Sequence, residues 1–158
     1  MNLDEQLKIL IDNTSQYGIV PVVMEQAIAP VLKLFAQQLK HQDYFILQNL
    51  DQNWLLTTIS HPQQPDLVKK VIYAFGTVKD AAKFQGTADP SIYAAPLPIT
   101  HILFQLLAIP ELNSIIFLEN SGNLNTGTEI VCDRVHELIQ EQLQKLDDIT
   151  NNIPPDIA

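Results

Sequence analysis

The chain has almost none of the residues that usually announce a site. Among its 158 residues there are one cysteine, one arginine and four histidines. A single cysteine, Cys132, cannot close an intramolecular bridge, so stability must come from the core. A chain of about 150 residues can supply that by burying roughly two-thirds of its unfolded surface. Such cysteine usage fits a reducing compartment, and the expected location is cytoplasmic. The first residues, Met1 to Lys8, carry Asp4 and Glu5 where a secretory leader would place basic residues ahead of an apolar run, so no export signal is read there.

Positive charge is scarce. Nine Lys and Arg face eighteen Asp and Glu, for a formal charge of −9, and Lys69-Lys70 is the only adjacent basic pair. Phosphate-rich partners are repelled by such a field, so no nucleic acid is expected as a partner. Long apolar runs are missing as well. Pro21, Pro30, Pro96, Pro98 and Pro110 break them well before the roughly 20 residues that span a bilayer, so no membrane partner is expected.

Catalytic and metal patterns are equally thin. His41, His61, His101 and His136 are scattered, and zinc sites normally bring two ligands within a few residues, so no metal and no cofactor are expected. Cys132 and His136 share a helix face four residues apart, but Glu129, Asp133 and Glu137 surround them. A reactive thiol needs an electropositive setting, so Cys132 reads as a small packing residue and no catalytic residue is assigned. The polar ridge of Glu129, Asp133, His136 and Gln140 reads as the solvated side of an amphipathic helix.

What is present is a clear alternation of patterns. Leu3, Leu7, Leu10 and Ile11 recur at helical spacing, and a second apolar helical stretch over 20–40 is kinked or restarted at Pro30. Tyr44–Leu50 and Trp54–Ile59, around Asp51-Gln52-Asn53, predict a β-hairpin. His61–Asp66, with two prolines, reads as a loop, and Val71–Phe75 as a third strand. A short helix over Lys79–Phe84 and an irregular, proline-bearing stretch come next, then a helix from Ile99 that Pro110 ends. Ser114–Leu118 is a continuous apolar run, the pattern of a strand covered on both faces; if it pairs in parallel beside the third, the intervening helices make a right-handed crossover. A last helix starts near Thr126 with Val131, Val135, Leu138, Ile139, Leu143 and Leu146 on one stripe. The order predicts an α+β fold: a small mixed sheet of a hairpin plus two further strands, packed with two N-terminal helices and a C-terminal amphipathic helix. One domain over 1–148 is expected, with 149–158 as a disordered tail.

The segment 120–128 is the most suggestive for binding, because it joins a buried strand to the expected helix start. Ser121, Gly122, Asn123, Asn125 and Thr126 are the candidate ligand or anion residues, since free N–H groups at such junctions attract anions. Thr126-Gly127-Thr128-Glu129 also matches a capping box, which would satisfy the same N–H groups internally. No glycine-rich phosphate motif or nucleophile elbow accompanies it.

Tyr44-Phe45-Ile46-Leu47 with Trp54-Leu55-Leu56, then Ala74-Phe75-Gly76-Thr77-Val78-Lys79-Asp80-Ala81, then Ile115-Ile116-Phe117-Leu118-Glu119-Asn120-Ser121 carry a resemblance. Over 43–146 this layout resembles the N-terminal domain of the SseB family, named for enhanced serine sensitivity in bacteria. Gly76 stands where that family tends to have threonine, and Ser121 replaces a proline. The resemblance implies an accessory or interaction role without established catalysis. Residues and resemblance together lead to a non-enzymatic cytoplasmic interaction domain, with a homodimer or another protein as partner. The alternative is a small-molecule (anion) binding protein, or a weak enzyme, using the 120–128 loop.

Overall fold

The computed structural model describes residues 2–86, 89–120, 122–123 and 126–151. Asn2 opens α1 (Leu3–Asp12) by accepting the Glu5 N–H at 2.8 Å, and Leu7 and Leu10 face the core. A 3₁₀ turn over Thr14–Tyr17 stops at Gly18, whose φ of +67° suits glycine. Next come α2 (Pro21–Val23), a π-helical turn over Met24–Ile28 and α3 (Ala29–Ala36), joined without a break. The interruption expected at Pro30 thus has a physical form. Pro30 sits in the first turn of α3, and the widened turn ahead of it absorbs the missing N–H and the clash that a proline brings.

Six strands make one sheet: β1 (Asp43–Asn49), β2 (Thr57–His61), β3 (Gln64–Phe75), β4 (Ile92–Pro98), β5 (Ser114–Leu118) and β6 (Thr128–Val131). The order is β4-β1-β3-β5-β6, with β2 also paired to β3. Three helices complete the chain: α4 (Val78–Gln85), α5 (Ile99–Ala108) and α6 (Cys132–Asn151). The fold is α+β, as the order of patterns predicts. β3 and β5 pair in parallel, from Val71 against Ser114 to Phe75 against Leu118.

Several elements differ from the sequence reading. The expected hairpin of Tyr44–Leu50 with Trp54–Ile59 shrinks to a bridge between Gln48 and Trp54, and the true hairpin is β2 with β3. Its turn spans only Pro62 and Gln63, so most of the expected 61–66 loop is strand. On its outer side β1 pairs instead with β4, in the stretch read as irregular because of Pro96 and Pro98. Ile99 N–H donates inward to Gln42 O, so by alternation the nitrogens of Pro96 and Pro98 point to the open edge. That is where a strand tolerates proline. The last helix begins at Cys132 rather than near Thr126, because Thr128–Val131 is β6, antiparallel to β5. α6 continues to Asn151, and 152–158, the rest of the expected tail, lie outside the described residues.

Alternation along the strands divides the sheet into two unlike faces. Tyr44, Ile46, Ile72, Ala74, Ile115, Phe117 and Ile130 point to one face, under α1, α3, α5 and α6. Leu47, Phe75 and Leu118 point to the other, where α4 covers one end through Ala81. No helix among the described residues is long and apolar enough to cross a membrane.

Candidate functional site

The parallel neighbours β3 and β5 end side by side, a place where open sheets commonly hold ligands. From Phe75 the chain passes through Gly76 and Thr77 into α4, and from Leu118 it passes through Glu119 toward β6. Thr77 caps α4: its hydroxyl accepts the Asp80 N–H at 3.1 Å. Asp80 is only 2% exposed. Its Oδ1 accepts the Gly122 N–H at 3.0 Å, and its Oδ2 has no hydrogen-bond partner among the described residues.

Beside this contact lies a second polar cluster. The Tyr44 hydroxyl donates to Glu119 Oε1 and accepts the His41 N–H at 3.2 Å. Glu119 Oε2 accepts the Lys40 N–H at 2.7 Å, while Lys40 Nζ donates to Asn120 Oδ1 at 3.0 Å. The His41 ring meets Tyr44 edge-on at 5.3 Å, and a Cβ on Gly76 would come within 3.2 Å of its Nε2. Burial pushes the Tyr44 phenol far above its ordinary range, reinforced by the hydrogen bond to Glu119. A phenol held neutral and already donating is no general base. The cluster ties the end of α3 to the end of β5, and its polar atoms serve one another.

Of the sequence-chosen loop residues, Gly122, Asn123 and Thr126 are described and exposed, while Ser121 and Asn125 lie outside the described residues. Gly122 offers no free N–H, because Asp80 takes it. Thr126 caps no helix; its hydroxyl accepts a long 3.4 Å contact from Asn120 Nδ2. Glu129, the other half of the expected capping box, lies in β6 and reaches across the sheet to Lys69 Nζ and Ser114 Oγ, each at 2.6 Å. Those two hydrogen bonds, Lys69 first, hold its carboxyl below the ordinary range. The loop therefore joins two antiparallel strands. Gly127 is tightly held in it, since a Cβ there would meet Phe117 O at 2.9 Å.

Cys132 Sγ donates to Leu106 O at 3.0 Å, and burial together with nearby Asp133 pushes its thiol up, away from nucleophilic use. Among the described residues no group of three or more His, Cys, Asp and Glu is placed to hold a metal ion.

No protein-family model matches the chain, and no curated protein matches it in sequence. Its function must therefore be argued from its surface.

The face of the sheet opposite the main helical layer was not singled out by sequence reasoning. Registered across it are Tyr73, Ile116 and Glu129, and in the next row Val71, Ser114 and Val131. Tyr73 and Ile116 are half-buried and Val131 is 44% exposed. The β2–β3 hairpin extends this face past the start of β5, since β5 pairs with β3 only from Val71 onward. On it Leu67 is 59% exposed and lies on the same side as Ile59 and Lys69, while Val68, 52% exposed, points to the opposite side of the hairpin; together with Pro62 they line a groove of about 350 Å³. The available signal was the run Leu67-Val68 beside two prolines. Leu67 and Val68 fall between the expected loop over 61–66 and the expected third strand from Val71, because the strand partner, β2, is assigned to another hairpin in the sequence reading.

Proposed function

We propose that the protein is a non-enzymatic, cytoplasmic interaction domain that docks a protein partner on the sheet face running from Tyr73 and Ile116 to Val131 and the β2–β3 hairpin. The observation that carries this reading is the set of apolar side chains that leads from the edge of α4, where Phe84 rests on Tyr73, through half-buried Ile116 to exposed Val131 and Leu67. Exposed apolar surface of this kind marks interaction sites more often than chance. Lys69 and Glu129, paired at 2.6 Å, give the same face a polar element of the sort found at an interface rim. The SseB-like layout, with its accessory role, agrees with this reading, and a homodimer through the face is one form the interaction can take.

The test compares wild type with a Leu67→Glu/Val131→Glu double variant. Both positions are exposed, so the fold should survive. Cross-linking with mass spectrometry in native cytosol should give reproducible links around Leu67 and Val131, lost in the variant, and sedimentation should report whether the partner is a second copy. Links that persist unchanged in the folded variant would refute the assignment.

A further inference from the structure

On the other side of the sheet, between α1 and the junction of β4 with α5, lies a cleft of about 220 Å³. Its floor is closed by saturated polar groups: Gln6 Oε1 accepts from Thr100 N and Oγ1, each at 3.2 Å, and Gln6 Nε2 donates to Gln42 O at 2.8 Å. Its walls are the apolar side chains of Ile9, Leu10 and Pro98, together with Tyr17, whose ring leans on Phe104 at 4.8 Å. Ile9 is 47% exposed.

His101 is the polar element that differs. Its ring lines the cleft and meets Trp54 edge-on at 5.9 Å, yet makes no hydrogen bond to any described residue. Burial holds its imidazole below the ordinary range, so at neutral pH it is uncharged and offers one donor and one acceptor. No Lys, Arg, Asp or Glu lines the cleft. A charged guest would lose part of its hydration there with no opposite charge among the lining residues to compensate, so a neutral guest is favoured. The volume equals about seven waters at roughly 30 Å³ each, the space of a molecule with one or two rings. The two rings among the lining residues, Tyr17 and His101, favour a planar guest that can pack against them.

We propose that this cleft is a binding site for a small, uncharged, planar aromatic molecule whose single polar group hydrogen-bonds His101. The site is separate from the interaction face, and either assignment can fail without the other.

The experiment titrates phenol and indole into ¹⁵N-labelled full-length protein, with benzoate as the charged control. At least one neutral probe should shift the amides of Ile9, Tyr17 and His101 saturably, and benzoate should not. His101→Leu keeps the apolar wall and removes the hydrogen bond, so binding should weaken about fivefold, the worth of one such bond. Ile9→Trp, at an exposed position, should fill the mouth and abolish the shifts while the rest of the spectrum is unchanged. That second variant keeps the test decisive if His101→Leu folds poorly. No saturable shift up to about 5 mM of either neutral probe would overturn the proposal, that being the weak limit of useful affinity. So would shifts confined to the Ile59–Leu67 groove, equal binding of benzoate, or unchanged affinity in a well-folded His101→Leu protein.

Discussion

Asp80 Oδ1 accepts the N–H of Gly122 at 3.0 Å across 42 residues of sequence, joining the first turn of α4 to the loop that leaves β5. The same carboxylate leaves Oδ2 buried without a partner among the described residues. Asp80→Ala should destabilise the protein by about 1–2 kcal/mol, because the part-buried hydrogen bond that ties Gly122 to α4 is lost. Asp80→Asn keeps an acceptor oxygen for Gly122 and replaces the unpartnered oxygen by an amide nitrogen in the same position, so it should be the milder of the two changes, within about 1 kcal/mol of wild type. Denaturant unfolding that ranks Asn below Ala would show that the carboxylate itself is needed.

Tyr44 offers a test with a defined pH dependence. Tyr44→Phe should cost about 1–2 kcal/mol at neutral pH by removing the hydroxyl shared by Glu119 and the His41 N–H. The folded phenol titrates above its unfolded value of about 10, so the folded state holds the proton more tightly. The stabilisation is complete below about pH 10 and is lost as pH rises toward the folded value. The difference in unfolding free energy between wild type and Tyr44→Phe should therefore narrow above about pH 10. A difference that stays constant up to pH 11 would contradict the burial of the hydroxyl.

Two threonines separate a helix start from a strand entry. Thr77 accepts the Asp80 N–H as the cap of α4, so Thr77→Ala should cost about 1 kcal/mol. Thr126 precedes β6 and, among the described residues, makes only the 3.4 Å contact with Asn120, so Thr126→Ala should change stability by less than about 0.5 kcal/mol. Thermal unfolding that finds Thr126→Ala the more harmful change would restore a helix start at Thr126.

The phase of α6 is testable in the same way. Ile139 is buried against the core and Gln140, the next residue, is exposed. Ile139→Ala should destabilise by about 2–4 kcal/mol through lost burial and a residual cavity, and Gln140→Ala should be nearly neutral. Urea midpoints in the opposite order would mean that the helix is rotated about its axis.

The amino-acid sequence by itself determined the elements whose period and composition are local properties. The Leu3–Ile11 spacing marks α1, the Val135–Ile139 stripe marks α6, and the apolar runs Val71–Phe75 and Ser114–Leu118 mark the paired central strands, because burial on both faces needs no knowledge of the neighbour. The scarcity of cysteine and of basic residues was likewise readable without a fold. Pairing was decided only by tertiary structure. Trp54–Ile59 has good strand composition, but its rivals for the edges of β1 and β3 lie far away in sequence. Pro96 and Pro98 argue against a strand until β4 is placed at an edge with their nitrogens outward. Thr126–Glu129 matches a helix cap in sequence, yet Thr128–Val131 is drawn into the ladder by β5, where Ile130 can be buried beside Ile115. Both proposed surfaces belong to this second kind. The docking face exists because α4 covers one end of a sheet face, and the cleft exists because α1 meets the start of α5 over Gln6. Contacts between residues as distant as Gln6 and Thr100 leave no periodic trace in the chain.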